Sequence, residues 1–454
     1  MIDTICNWSD RFQLFVFLTL KESLGEKRMF KNNVTVLLLM LGLTLTAFAQ
    51  ESSRLRLEDL IKEAVKSNPQ LKAAQNQFLS TKTKVKQVTA WDAPQVGIEF
   101  FQLPIQSFPN PIKNNMEMDY YVQQMIPFPG KLSAMGLAAD NNAKMYEEQF
   151  KALKNKVIRD LETSYFELYL VQRKVEINKE NQELLKQFIE IASKQYQVGM
   201  GKQQDIIRAQ TELSSLLNEE VNFHREKTDV ETMLNTILNR PPYQPFDEVG
   251  EISEEIPVFT YQQLLPLAVS DRPELKGMNF NIDMYKSELK ASELEFYPDI
   301  MARLMYKNMI DTKNDFWSTM IGVNIPIAFW SKDKYSGKVE ENELNIKTAE
   351  EQFNSMKNMI SYEVQNAVVK LETNRNLYNL NESTIIPQAE QTLQSTLAAY
   401  RTGKTEFLML IDAYRMLFMA KLNFYMSEMN VMQAKAQLEQ AVGLPLNEIV
   451  EKIK

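Results

Sequence analysis

The chain of 454 residues contains one cysteine, Cys6, and one histidine, His224. A single histidine cannot build a histidine-based metal site or a histidine-dependent acid–base pair within one chain. A single cysteine leaves no intrachain disulfide. Glycine is scarce, at 13 residues, so loop-rich architectures are disfavoured. The most apolar stretch, "VTVLLLMLGLTL" at residues 34–45, is too short to span a bilayer comfortably. The net charge of -8 gives no reason to expect nucleic acid as a partner.

What is present leans helical. Gln, Glu, Lys, Asn, Ala and Leu dominate long stretches of the chain. The apolar stretch follows Lys27, Arg28 and Lys31 and ends in Ala47-Phe48-Ala49. A basic start, a short apolar core and an A-x-A end form a secretory signal, with cleavage expected between Ala49 and Gln50. Met29 is the expected true start, which makes residues 1–28 an upstream extension; an independent meaning for "FQLFVFLTL" at 12–20 stays open. Removing residues 1–49 leaves 46 basic against 55 acidic residues, a net of -9, and takes Cys6 with it. The exported chain can be neither a thiol enzyme nor acylated on a terminal cysteine, and it must hold together by core packing alone.

The sequence says nearly everything twice. "YQVGMGKQQDIIRAQTEL" starts at Tyr196 and "YRTGKTEFLMLIDAYRML" at Tyr400, 204 positions later. In each, Ala follows the glycine by ten residues and Leu follows that Ala by four. Leu60, Ala64, Val65, Pro69, Leu71 and Lys72 recur as Leu264, Ala268, Val269, Pro273, Leu275 and Lys276, again at 204. Pro94 recurs as Pro298, and Asn239-Arg240-Pro241 lines up with Gly443-Leu444-Pro445. Landmarks in one order at one spacing indicate a tandem duplication. Repeat 1 is placed at 50–250, repeat 2 at 251–445 and a C-terminal tail at 446–454.

Each repeat has one plan. Apolar residues at helical spacing run over 57–88 and 261–294, interrupted at Asn68-Pro69 and Arg272-Pro273. The period then becomes two. Val96, Ile98 and Phe100 alternate with Gln95, Gly97 and Glu99, and Tyr120 and Val122 alternate with Asp119 and Gln123. In repeat 2, Ile300, Ala302, Leu304 and Tyr306 alternate with Arg303 and Lys307, and Trp317, Thr319, Ile321 and Val323 with Ser318 and Gly322. Four amphipathic strands in two hairpins are expected, at about 95–101, 116–126, 299–307 and 316–325. Helical stretches of about 65 residues follow, over 133–198 and 336–402, each about 98 Å long at 1.5 Å per residue. Such a length implies a coiled coil or bundle. A shorter helix returns after each repeated glycine, so one long helix can be flanked by two half-length helices laid end to end. Pro387, with no counterpart in repeat 1, should kink the second long helix.

Strands with one apolar and one polar face in an exported chain suggest an outer-membrane barrel, although a soluble sandwich shows the same alternation. Four strands cannot close a barrel, for which about eight is the smallest useful number. Several chains would have to share one, and the pattern does not choose their number.

Signal peptide, tandem repeat, two hairpins, long helices and the repeated Tyr-x-x-Gly phrase resemble the TolC family of outer membrane efflux proteins over most of residues 55–445. "IPFPGKLSAMG" is most similar to its heavy-metal-efflux branch. The resemblance implies a homotrimer, with a shared β-barrel in the outer membrane and a helical tunnel through the periplasm. It implies a periplasmic adaptor and a proton-driven inner-membrane pump as partners, and tip turns that meet the adaptor through Gly199, Gly201, Gly403 and Lys404. It also implies a gate just beyond the second repeated glycine. Asp412 matches one family aspartate there, whereas Met409 stands where the family has the other. Asp205 and Tyr400 match a family Asp–Tyr link. A plainer reading leaves Asp412 a solvated helix residue and Tyr400 a packing residue.

Other signals are weaker. Gly403-Lys404-Thr405 imitates the end of a phosphate loop, but position 398 is Ala and a helix precedes it. Thioethers favour soft metals, and the chain has 24 methionines. For Met301, Met305 and Met320 on strands, and Met409, Met416 and Met419 near the tip, core or lipid-facing packing is the expected role. No catalytic constellation or cofactor motif emerges. The expected function is a passive trimeric exit duct for metal ions or small toxic compounds, with a drug or protein secretion duct and a periplasmic coiled-coil scaffold as alternatives.

Overall fold

The computed structural model describes residues 55–453, except 102, 104, 108, 109, 111–115, 253–255, 311 and 327. The expected cleavage site at Ala49 and Gln50 lies outside the described residues, as does most of the loop between the first two strands.

Repeat 1 runs α1 (Leu57–Ser67), α2 (Pro69–Val88), β1 (Gln95–Phe101), β2 (Glu117–Ile126), α3 (Lys131–Gln197) and α4 (Gln203–Leu238). Repeat 2 runs α5 (Tyr261–Asp271), α6 (Pro273–Leu294), β3 (Ile300–Met309), β4 (Phe316–Val323), α7 (Lys332–Leu380), a π turn (Asn381–Ile385), α8 (Ile386–Arg401) and α9 (Phe407–Val442). The segment after Pro445 is more than a tail: Leu446–Ile453 forms α10, with Leu446 and Ile449 buried and Lys452 paired to Asp271.

The helix breaks at Asn68 and Arg272 are local chemistry. Both residues are extended, as the position before proline demands, and Pro69 and Pro273 start the next helix where a missing N–H costs nothing. Asn68 caps α2 through its side chain and donates to the Ile237 carbonyl. Its repeat mate Arg272 donates instead to the Ala441 carbonyl, 204 positions after Ile237. Two different side chains thus satisfy equivalent carbonyls.

At 67 residues, α3 spans about 100 Å. It packs against α1 and α2 along one half and α4 along the other. In repeat 2, α7 packs on α5, α6 and the α9 helix, while α8 packs on α9. The expected kink at Pro387 takes the form of the π turn immediately before it. There the wider ladder accommodates the ring and the missing donor, and Asn381 satisfies the Leu377 carbonyl through its side chain.

The strands form one antiparallel sheet in the order β1-β2-β3-β4. The repeats are joined at its centre, where Tyr120 faces Tyr306 and Val122 faces Leu304. The register gathers Val96, Ile98, Tyr120, Val122, Leu304, Trp317, Ile321 and Val323 on one face. Glu99, Glu117, Asp119, Arg303 and Lys307 share the other. Methionine departs from expectation. Met301, Met305 and Met320 lie on the charged face, opposite the apolar one, because each stands an odd number of residues from the apolar positions of its own strand. Met409, Met416 and Met419 are exposed on α9 rather than packed in its core.

Candidate functional site

The two tip turns are built alike. Gly199 and Gly403 have φ of 75° and 69°, the left-handed region that glycine enters without a Cβ penalty. A Cβ at either would meet nothing within 4 Å, so backbone conformation rather than crowding calls for glycine. In the first turn Gly199 N donates to the Tyr196 carbonyl at 3.0 Å and Met200 N to that of Gln195 at 2.9 Å. In the second, Gly403 N donates to Tyr400 and Lys404 N to Ala399 at the same two distances. Both are Schellman-type closures of a helix end. Gly201 is constrained differently: a Cβ there would come within 3.0 Å of the Tyr196 nitrogen. Helices flank the Gly403-Lys404-Thr405 turn on both sides, without the strand a phosphate loop needs.

The repeated alanines explain the rest of the phrase. Ala209 and Ala413 are buried in one cluster with Leu185, Phe188, Leu410 and Tyr414. Small side chains ten residues past each glycine let α4 and α9 sit close to the long helices behind them.

This cluster joins the two coiled coils, and polar links tie them at its edge. Tyr400 is 5 % exposed and packs edge-on against Phe407, with ring centroids 5.2 Å apart. Its hydroxyl donates to Asp205 Oδ2 at 3.3 Å. Burial, and then the Asp205 charge, push the Tyr400 phenol up to about 12, so it remains a donor throughout the physiological range. Gln195 Nε2 donates to the Arg401 carbonyl at 2.9 Å, joining the first tip to the second.

One link escaped the sequence pattern. Arg415 on α9 grips Glu212 on α4 through two donors, Nε at 3.1 Å and the Nη2 group. Glu212 and Arg415 stand 203 positions apart, and an isolated Glu on one helix and Arg on another carries no local signal. Asp412 lies one turn before Arg415 and contributes to the negative field that keeps the guanidinium charged, after Glu212 itself. Asp412 is exposed, on the α9 face that also carries Met409, Met416 and Met419. That stripe at helical spacing is directed away from the cluster. Among the described residues, no helix is long and apolar enough to cross a membrane, and no group of three or more His, Cys, Asp or Glu could hold a metal ion.

Comparison with known proteins bears on the whole chain. The pattern describing outer membrane efflux proteins matches residues 60–240 and again 264–444. The cobalt-zinc-cadmium resistance protein CzcC of Cupriavidus metallidurans is 20% identical over 318 residues, 70% of this chain and 75% of that protein. Among solved structures, the channel CusC superposes with a TM-score of 0.73 at 17% identity, covering 86% of this chain and 93% of CusC. The outer membrane protein VceC of Vibrio cholerae gives 0.71 at 16%, covering 86% and 96%. The open state of the MtrE channel of Neisseria gonorrhoeae gives 0.70 at 16%, covering 86% and 89%. A duplicated plan that the family pattern matches in both halves, carried by the same fold, makes this chain a member of the outer membrane efflux protein family.

Proposed function

We propose that the protein is a passive exit duct in the outer membrane. Three copies would share one β-barrel, each supplying four strands, and most of each chain would project into the periplasm as a helical tunnel. The observation that carries this reading is the sheet, whose burial is inverted relative to a soluble protein. Asp119 is 2 % exposed, whereas Trp317 and Ile321, on the opposite face, are 71 % and 79 % exposed. Among the described residues, both edge strands, β1 and β4, lack an outer neighbour. Among the described residues no helix packs extensively on either face. An apolar face of that extent needs lipid, and two open edges need further strands.

The duct performs no chemistry of its own. Energy comes from a proton-driven inner-membrane pump, and the tip turns meet a periplasmic adaptor. Membership in the family and the CzcC likeness support efflux of metal ions or small toxic compounds. Purification from the outer-membrane fraction, native mass measurement and planar-bilayer recording test the reading together. A detergent-dependent trimer with single-channel conductance is expected; a monomer soluble without detergent would overturn it.

A further inference from the structure

We propose that Met125, Met301 and Met320 form a thioether site for a soft monovalent metal cation on the charged face of the sheet. Met125 and Met301 are direct cross-strand partners, and Met301 is in turn the partner of Gly322. Opposed pairs hold their Cβ atoms about 4.5–5.5 Å apart, and diagonal neighbours about 7–8 Å. Met320 is such a diagonal neighbour of Met301, because it pairs with Arg303 on the same face. Gly322 leaves the space over β4 free, and the Met301 methyl lies there, 3.0 Å from where a Cβ would stand. Three unbranched side chains with three rotatable bonds each can therefore bring their sulfurs together across β2, β3 and β4.

The surroundings make packing a poor account of these residues. This face holds Glu99, Glu117, Asp119, Arg303 and Lys307 beside Phe101, Tyr121 and Phe316, so it faces water in the proposed duct, where a thioether gains less from packing than on the lipid-facing side. The charges two residues to either side of Met301 are engaged elsewhere: Asp299 pairs with Lys131 at 3.0 Å. The Arg303 guanidinium lies 4.4 Å from the Tyr121 ring centroid, and its Nε donates to Gln123 Oε1 at 2.8 Å. Tyr121 lies on the side of Arg303 away from the Met125–Met301 pair. Neutral thioether sulfur binds copper(I) or silver(I) and discriminates against hard cations such as Mg²⁺. Its part in conduction rests on the duct reading, whereas binding needs only the register within one chain.

Silver(I) in chloride-free buffer is the probe, applied to the folded full-length protein in detergent. Equilibrium dialysis should show one silver ion per chain fewer in M125L/M301L/M320L than in wild type, and no loss in M118L, whose methionine lies on the apolar face. Equal binding in all three proteins would overturn the site. If the triple variant fails to fold, methyl-labelled methionine NMR of the wild type decides. The Met125, Met301 and Met320 methyls should shift together at one equivalent, before Met118, and a hundredfold excess of Mg²⁺ should not reverse them. Unmoved methyls, or reversal by Mg²⁺, would overturn the proposal. A protein that binds silver but forms no channel would sink the duct and spare the site; a channel that binds none would do the reverse.

Discussion

The Tyr400 hydroxyl, at the end of α8, donates to Asp205, at the start of α4, over 3.3 Å and 195 positions of sequence. The bond joins the second tip to the first within one chain, beside the bidentate Arg415–Glu212 pair. If these contacts hold the tunnel closed, Tyr400→Phe with Asp205→Ala should raise resting conductance in planar bilayers, and adding Arg415→Ala should raise it further. An unchanged resting conductance in the triple variant would remove the gate from these residues.

Tyr414 provides the contrast. It is buried in the same cluster, and its hydroxyl finds no hydrogen-bond partner among the described residues. An unsatisfied buried hydroxyl costs about 1–3 kcal/mol. Tyr414→Phe should therefore raise the unfolding midpoint without changing conductance. A clear loss of stability would mean that the hydroxyl has a partner in the assembled protein.

If the tip closes as a gate, Asp412 tests what it selects. Three Asp412 carboxylates around one axis would repel each other and favour cations. Asp412→Ala should weaken cation preference in reversal-potential measurements, and Met409→Asp should strengthen it by adding a second acidic ring. Identical selectivity in both variants would place Asp412 away from the narrow part of the lumen.

The sheet faces can be checked by charge. Lysine or arginine at Ile98, Val122 or Val323 should cost about 2–4 kcal/mol near mid-membrane depth. Glutamate at Gln95 or Gln123 should be tolerated, since both share the face of Arg303, and Gln123 already accepts from it. Equal yields of folded protein from both sets would show the facing to be wrong.

Glu428 gives a pH dependence. Burial raises its carboxyl above the ordinary range, opposed by the Tyr169 hydroxyl, which donates to it at 2.8 Å. A carboxyl raised in the folded state contributes stability below its unfolded pKa, and that contribution is lost as pH rises through the folded value. Glu428→Gln keeps an acceptor for Tyr169 and removes the buried charge. Its melting temperature should exceed the wild type's at pH 7 and converge with it near pH 4. A gap independent of pH would mean the charge is not the cause.

How much of this was legible in the sequence follows from range. The left-handed turns at Gly199 and Gly403, the breaks before Pro69 and Pro273 and the alternation in the strands depend on residues a few positions apart, so local sterics and periodicity reveal them. The family resemblance added the Tyr400 and Asp205 positions, where the structure places a hydrogen bond. Three things were decided only by the tertiary structure. Ladder pairing of β2 with β3 fixes one register among several, and it placed Met125, Met301 and Met320 together on the charged face. The π turn before Pro387 depends on the neighbouring α9, whose Ser427 lies within hydrogen-bond reach of Asn381. The Arg415–Glu212 pair depends on how two coiled coils pack side by side. Sequence periodicity shows which face of an element is apolar; only packing shows which residues from distant elements share that face.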